Sequence, residues 1–181
     1  GNAAGLTLNG NTVELDPNAY DALAQGEREV VRVAYDISDG SGNLIPQRAR
    51  IAINGRNDNP IAIAPINING TEDSFTFSAN LLLGTTDPEG QALSVSGLRL
   101  ISGNEAGVTD NGDGTLTIDS SAYTDLSAGD TEVISYTFNI DDTQGGSTVQ
   151  TATITLTGAN DQPIAFDLDI TASEDGGQVF E

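Results

Sequence analysis

The chain of 181 residues contains no cysteine, no histidine and no lysine. Without cysteine, no disulfide can stabilise the fold. Without histidine and cysteine, the usual general base, the thiol nucleophile and the usual ligands of zinc, copper, haem and iron–sulfur sites are missing. The sequence also lacks a Gly-x-Ser-x-Gly elbow and a phosphate-binding loop. These absences argue against an enzyme.

Basic residues are scarce as well: six arginines stand against 27 Asp and Glu, which gives a net charge of −21. A chain with this charge is a poor partner for nucleic acid or anionic lipid. The arginines are dispersed along the sequence, and we interpret them as members of surface ion pairs. The natural counterions are cations, and the supply of carboxylate and amide oxygens favours calcium.

The sequence has no signal peptide and no long apolar run, and residue 1 is Gly rather than Met. We therefore expect an internal part of a larger protein, with no direct membrane insertion.

An internal repeat dominates what the sequence does contain. Residues 55–62 (GRNDNPIA) return as residues 158–165 (GANDQPIA), 103 positions later, and the same offset pairs 19–42 with 122–145. A period of this length indicates whole domains in tandem. The phase predicts three parts: 1–59 as the C-terminal part of one repeat, 60–163 as a complete repeat, and 164–181 as the N-terminal part of the next.

Alternation of apolar and polar residues predicts strands. Residues 134–140 and 152–157 alternate with period two, residues 31–37 repeat the first pattern one period earlier, and no segment has a helical period. Several short strands in each repeat predict an all-β fold, an antiparallel Greek-key sandwich of about seven strands. Further short strands are expected at Phe75/Phe77, Leu93/Val95 and Leu116/Ile118.

The partial units leave two alternatives open. A sandwich without its first strands exposes edges and a core face, so one partial unit can be completed by another, head to tail between molecules. Alternatively, strands before Asn11 complete the first unit locally.

Two short motifs favour structural roles. Residues 110–114 (DNGDG) suggest an EF-hand loop, but the third position is Gly and no helices flank the segment, so we predict a hairpin turn. Tyr20 and Tyr123 recur at the repeat offset and are interpreted as core plugs or tyrosine corners.

Five segments occur together in this chain: Asn160–Pro163, Ser173–Asp175, Thr86–Gly90, Ala122–Gly129 and Thr151–Gly158. As a set they resemble the VCBS and bacterial cadherin-like repeats of giant RTX-type biofilm adhesins. The resemblance implies tandem Ig-like/cadherin-like sandwiches in a type I secreted protein of the bacterial cell surface. Such modules extend an adhesive tip away from the cell, with calcium at the junctions between them.

The linker at residues 57–60 (NDNP) also resembles the Asp-x-Asn-Asp-Asn-Pro junction of cadherins, although Gly55 and Gly158 replace its first Asp. This similarity implies two sets of calcium ligands. The first set is Asn57, Asp58, Asn59, Asp87, Glu89 and Asp142, met from the preceding repeat by Glu27 and Glu29. The second set is Asn160, Asp161, Asp130 and Glu132, with Glu72 or Asp73 near the first strand of the repeat.

The combined expectation is a non-enzymatic, calcium-stabilised extender module whose partners are calcium ions and the neighbouring repeats. Each acidic segment also fits a solvated turn or a polar strand edge. Two other functions remain open: a calcium-dependent glycan-binding module, and a protein–protein interaction module that uses an exposed edge strand.

Overall fold

The chain is all-β in the computed structural model, which describes residues 1–163 and 165–168. Strands form where apolar and polar residues alternate, and they end at turns rich in Gly, Asn and Asp. Two 3-10 turns, Pro17–Tyr20 and Ser120–Tyr123, lie between strands. The described strands are β1 (Leu6–Asn9), β2 (Thr12–Leu15), β3 (Arg28–Ser38), β4 (Leu44–Asn54), β5 (Ile61–Ala62), β6 (Ile66–Thr71), β7 (Phe77–Asn80), β8 (Thr85–Thr86), β9 (Ser94–Ser102), β10 (Val108–Asp110), β11 (Thr115–Ile118), β12 (Thr131–Asp141) and β13 (Ser147–Thr157).

Strands β5 to β13 build one β-sandwich. One sheet has the order β6-β13-β12-β9 and the other β10-β11-β7, with the short pair β5-β8 beside them. Every strand pair is antiparallel except β6 with β13, which run parallel. The predicted all-β sandwich is thus confirmed. No helix of the described residues has the length and hydrophobicity that a transmembrane span requires.

The core of the sandwich lies between the two sheets. Ile134 and Phe138 of β12 and Ile154 of β13 point inward and are buried, and they belong to one cluster with Leu116 of β11. Burial of such a side chain contributes about 1.5–3 kcal/mol. The intervening residues of β12 and β13 point outward, which is the period-two pattern that the sequence predicts.

Residues 1–54 repeat only the second half of this sandwich. Strands β1, β2, β3 and β4 are the equivalents of β10, β11, β12 and β13. Within the described part of the chain, β1 pairs only with β2, and β3 only with β4. The alternative in which strands before Asn11 complete the first unit is therefore wrong. The predicted start of the next repeat, 164–181, lies outside the described residues apart from 165–168.

The incomplete first unit leaves part of its core positions open. Tyr35 and Ile37 are 49% and 51% exposed, whereas the equivalent Phe138 and Ile140 are 2% and 0% exposed. A groove of ≈ 800 Å³ follows this open face, and Val13 is among its apolar lining residues. The side chains at one end of the β3–β4 hairpin, such as Tyr35 and Ile37, are therefore exposed, whereas Val31 in the same strand stays buried at 2% exposure.

The two structural motifs are found where they are predicted. Residues 110–114 connect β10 and β11 as a hairpin, in which Asp113 Oδ1 accepts a hydrogen bond from the Thr115 amide (3.0 Å). Tyr123 is buried, and its hydroxyl donates to the Asn104 carbonyl (2.8 Å), as in a tyrosine corner.

Candidate metal centre

The loop after β8 holds Asp87 in a tight turn. Asp87 Oδ1 accepts hydrogen bonds from the backbone amides of Glu89 (3.0 Å) and Gln91 (2.9 Å). Gly90 closes the turn with φ +75°, a conformation that favours glycine. The turn uses one carboxylate oxygen, while Asp87 Oδ2 is buried without a hydrogen-bond partner.

Glu89 links this loop to the segment that enters the sandwich. Glu89 Oε1 accepts a hydrogen bond from the backbone amide of Asp58 (3.0 Å), and Oε2 is buried without a partner. Burial raises the pKa of the Glu89 carboxyl above its ordinary value, and the charges of Asp58 and Asp87 act in the same direction against the hydrogen bond from Asp58. Two buried carboxylate oxygens, one on Asp87 and one on Glu89, are thus left for a cation.

Asn57 connects the two loops at this end of the sandwich. Its Nδ2 donates to Asp142 Oδ2 in the β12–β13 loop (2.9 Å), and its Oδ1 accepts from Gln91 Nε2 (2.5 Å). Asp142 Oδ1 accepts from the amides of Gln144 (2.7 Å) and Gly146 (2.9 Å). Burial opposes ionisation of Asp142, but the hydrogen bonds from Asn57 and these amides outweigh it, so its pKa lies below the ordinary value.

Close packing fixes the third linker residue. Asn59 Oδ1 accepts a hydrogen bond from the Ser147 amide (3.2 Å). A Cβ at Gly146 would lie 3.0 Å from Asn59 Oδ1 and 2.8 Å from Asn57 Nδ2, besides overlapping the Asp142 carboxylate. A larger residue there would displace these three side chains. Six predicted ligands therefore come together at this pole of the sandwich: Asn57, Asp58, Asn59, Asp87, Glu89 and Asp142.

The two acids predicted from the preceding repeat are engaged elsewhere. Glu29 Oε1 accepts from the Asn2 amide (2.6 Å), and Glu27 Oε2 accepts from the Ala24 amide (3.2 Å). Only the Glu27 backbone reaches the start of the linker, where its carbonyl accepts from the Gly55 amide (2.9 Å). The structure does not bring either carboxylate to the linker.

At the second junction, the side chain of Glu72 contacts the linker. Its side chain is 2% exposed, Oε1 accepts from the Ala159 amide, and Oε2 is buried without a partner. Asn160 Nδ2 donates to the Asp161 carbonyl (3.2 Å), which repeats the bond of Asn57 to Asp58 in the first linker. The second linker thus repeats this bond and lies beside one orphaned carboxylate oxygen.

The other acids predicted for this junction do not converge on it. Asp73 is exposed, and Glu132 Oε1 accepts from the Asn104 amide (2.6 Å), as Glu29 does in the first unit. Asp130 is exposed, and only its carbonyl meets the linker, where it accepts from the Gly158 amide (2.8 Å).

The donor chemistry at the first junction fits a hard cation. Calcium takes about six to eight oxygens, and carboxylates, amides and carbonyls all supply them. Among the described residues, no three carboxylates are arranged to hold a metal ion by themselves. A cation here would therefore take the orphaned oxygens of Asp87 and Glu89 together with neutral linker oxygens.

Sequence reasoning missed Gln91, which connects Asn57 to Thr143: its Oε1 accepts from Thr143 Oγ1 (3.1 Å). Its position four residues after Asp87, at the end of the same turn, is the signal that could have identified it.

The comparisons with known proteins concern the same region. The family model described as a cadherin-like domain matches residues 56–157, more than half of the chain. Mouse cadherin-23 EC22–24 is 15% identical with a TM-score of 0.47, covering 86% of this chain and 50% of that one. Human mucin-like protocadherin EC1–2 is 13% identical with a TM-score of 0.45, covering 86% and 79%.

A nucleoside hydrolase-related hypothetical protein from Saccharophagus degradans, associated with carbohydrate metabolism, is 15% identical with a TM-score of 0.37. The match covers 56% of this chain and 26% of that one, so the chain spans about a quarter of that relative and half of the cadherin-23 fragment. Curated protein sequences gave no match.

Proposed function

Because the chain belongs to the family of cadherin-like domains, which are non-catalytic and typically extracellular, we propose that it is a calcium-stabilised extender module of a giant bacterial surface adhesin. In this role the module projects adhesive tip domains for cell adhesion and biofilm formation. Type I secretion would place it outside the cell. The adhesin context comes from the resemblance of the repeat motifs to RTX-type adhesins.

The observation that carries the calcium part of this proposal is the pair of orphaned oxygens beside the linker. Asp87 Oδ2 and Glu89 Oε2 are buried and have no hydrogen-bond partner. A buried carboxylate oxygen without a partner is costly unless a cation compensates it. Asp87 and Glu89 would hold the ion together with neutral oxygens of the linker, such as those of Asn57 and Asp58.

Bound calcium would add stability and stiffness at the same place. Because the candidate ligands come from the linker and from the loop of Asp87 and Glu89, an ion shared by them would fix the linker relative to the sandwich. Extracellular modules bind calcium with dissociation constants of about 10⁻⁴–10⁻³ M, so millimolar calcium adds about 1–2 kcal/mol per site. Submicromolar cytosolic calcium adds almost nothing, which leaves the chain looser before export.

Small-angle X-ray scattering and thermal melts of the full chain, in millimolar calcium, in magnesium and in EDTA, test this proposal. We expect a more elongated particle and a higher melting temperature in calcium than in either other condition. Equal melting temperatures and equal scattering profiles in calcium and EDTA would rule out calcium stiffening. A response to magnesium as large as that to calcium would rule out calcium as the specific ion.

The open core face of residues 1–54 supports a second proposal, head-to-tail association between molecules. Strand β4 is the equivalent of β13, and β13 pairs with β6 in the complete unit. The part of a second molecule that corresponds to β6 begins near Leu168, so strand addition to β4 would start the missing sheet. Sedimentation velocity over a hundredfold range of concentration tests this, and a constant monomeric sedimentation coefficient would overturn it.

A further inference from the structure

Four of the six arginines lie on one face of the β3–β4 hairpin. In its register Arg32 lies directly opposite Arg50, Arg48 is opposite Ala34, and Arg28 is opposite Asn54. Side chains two residues apart, and side chains of directly paired residues, point to the same side of a sheet. We call Arg28, Arg32, Arg48 and Arg50 the arginine face. It lies on the side opposite the apolar residues Tyr35 and Ile37.

None of these arginines forms an ion pair with a described carboxylate. The one salt bridge found among residues 1–163 and 165–168 joins the Gly1 amino group to Glu29 at 4.0 Å. All four guanidinium groups belong to exposed residues. Within the described part of the chain, the arginines are therefore not the scattered members of surface ion pairs that the sequence suggests. The pairing register, which the sequence does not reveal, collects them on one face.

The arrangement has a cost in the absence of an anion. Like charges directly opposite each other on neighbouring strands destabilise a sheet, and Arg32 and Arg50 are such a pair. Asp36 is the one acid of β3 on this side, and it lies diagonally from Arg48 beyond ion-pair distance. An external anion that bridges the guanidinium groups would remove the repulsion.

The arginine face is not a property of the repeat. The equivalent positions in the complete unit are uncharged, and no other strand layer covers that side of β12 and β13 in the described residues. Completion of the first unit by further strands would therefore leave the arginines accessible. The equivalent residues are Thr131, Ser135, Thr151 and Thr153.

We propose that the arginine face binds a linear polysaccharide that carries carboxylate or sulfate groups. Guanidinium groups form planar, bidentate hydrogen bonds with such anions. Arg48 and Arg50, two residues apart, are separated by about 7 Å along the strand, and Arg28 and Arg32 by about 13 Å, so the face offers spaced contacts to a repeating anion. This inference goes beyond the extender role and needs no calcium.

A second copy of the chain is a poorer occupant. In the complete unit, the outward positions of β12 and β13 are mostly Thr and Ser, and the clustered acids, such as Asp87, Glu89 and Asp142, lie in loops at one pole. Among its described residues, a second copy therefore offers no row of carboxylates that matches the arginine face.

Isothermal titration of the full chain in EDTA tests the proposal separately from calcium binding. The probes are heparin as the sulfated polymer, alginate as the carboxylated polymer, dextran as the neutral polymer and duplex DNA as a non-glycan polyanion. We expect heparin or alginate to bind, with an affinity that falls as salt rises, and dextran and DNA not to bind. No binding of either anionic polysaccharide, or equally tight binding of DNA, would overturn the proposal.

Matched double variants assign the binding to this face. Arg32→Ser with Arg50→Thr installs the residues of the complete unit and should weaken binding about tenfold or more, since two charge-assisted contacts are lost. Arg56→Ser with Arg99→Ser removes the same charge elsewhere and should leave the affinity unchanged. Equal losses in the two doubles would contradict a specific site.

Thermal melts of both doubles check that they fold, and Arg28→Thr with Arg48→Thr is a second variant of the same face that should also weaken binding. Sedimentation gives the remaining control. If the parent chain self-associates and the Arg32→Ser, Arg50→Thr variant does not, the arginine face binds a second copy. That result would overturn the proposal of a polysaccharide ligand.

Discussion

The backbone amide of Asp58 lies 3.0 Å from Glu89 Oε1 and donates a hydrogen bond to it. This bond joins the linker to a loop of the sandwich through a carboxylate that is buried and retains a second, unpartnered oxygen. The same carboxylate therefore has opposite effects in two conditions. Its charge is unfavourable in the metal-free chain, and it becomes favourable when a cation binds.

Replacement of Glu89 by Gln separates these two effects. In EDTA at neutral pH we expect Glu89→Gln to raise the melting temperature, because it removes a buried charge while an amide oxygen can still accept from Asp58. In calcium the variant should lose most of the stabilisation of about 1–2 kcal/mol that one site provides. Asp125→Asn, at an exposed position, should keep the full calcium response. A Glu89→Gln variant that retains the full response would remove Glu89 from the site.

Glu72 provides a test at the second junction. Glu72→Ala leaves the Ala159 amide without its partner, so we expect a loss of about 1–3 kcal/mol in the free energy of unfolding. Asp73→Ala removes an equal charge from the neighbouring exposed position and should change it by less than about 0.5 kcal/mol. Urea unfolding in EDTA measures both. Equal losses for the two variants would show that the contact of Glu72 with the linker is not stabilising.

The equivalent residues Ile37 and Ile140 test whether the first unit lacks its core in solution. Ile140 is fully buried and Ile37 is 51% exposed. Ile140→Ala should therefore cost about 2–5 kcal/mol, as buried Ile-to-Ala changes do. Ile37→Ala should cost much less, as surface changes do. Urea unfolding of the two variants compares the same substitution at the same position of the repeat. A large loss for Ile37→Ala would mean that strands from elsewhere cover residues 1–54.

The hairpin acid Asp113 gives a pH-dependent prediction. Hydrogen bonds from the Thr115 hydroxyl and amide hold its pKa below the ordinary value of 3.8. A lowered pKa in the folded state means that the stabilisation is present above that ordinary value and is lost as pH falls through the folded value. The stability difference between the parent chain and Asp113→Ala should therefore shrink between neutral pH and pH 3. A difference that is constant over this range would exclude a contribution from the charge.

The strands were predictable because one face of each is buried, which imposes period two on residues such as those of 134–140. The same reasoning wrongly placed Phe75 in a strand. It stands two residues before Phe77 in an alternating pattern, yet it lies outside β7 and is 94% exposed. The preceding turn, closed by the bond from Ser74 to Thr71, delays the start of the strand. Local alternation does not reveal where a turn ends.

The candidate site was predictable in part for a related reason. The linker and the Asp87 turn are local motifs, and the sequence names their residues. The choice between Glu72 and Asp73 depends on pairing with a distant strand, because the Glu72 amide donates to the Thr157 carbonyl. The opposition of Arg32 and Arg50 depends on register in the same way. Contacts that join residues far apart in sequence are not visible in one sequence.

The parallel pairing of β6 with β13 determines how the complete unit responds to being pulled. The chain enters the unit through the two-residue strand β5, continues into β6 and leaves after β13, and six residue pairs from Ile66/Ala152 to Thr71/Thr157 hold β6 and β13 together. Tension along the chain therefore acts parallel to the two strands and loads the ladder in shear. The ladder has to break as one unit, whereas a hairpin pulled at its open end would unzip bond by bond.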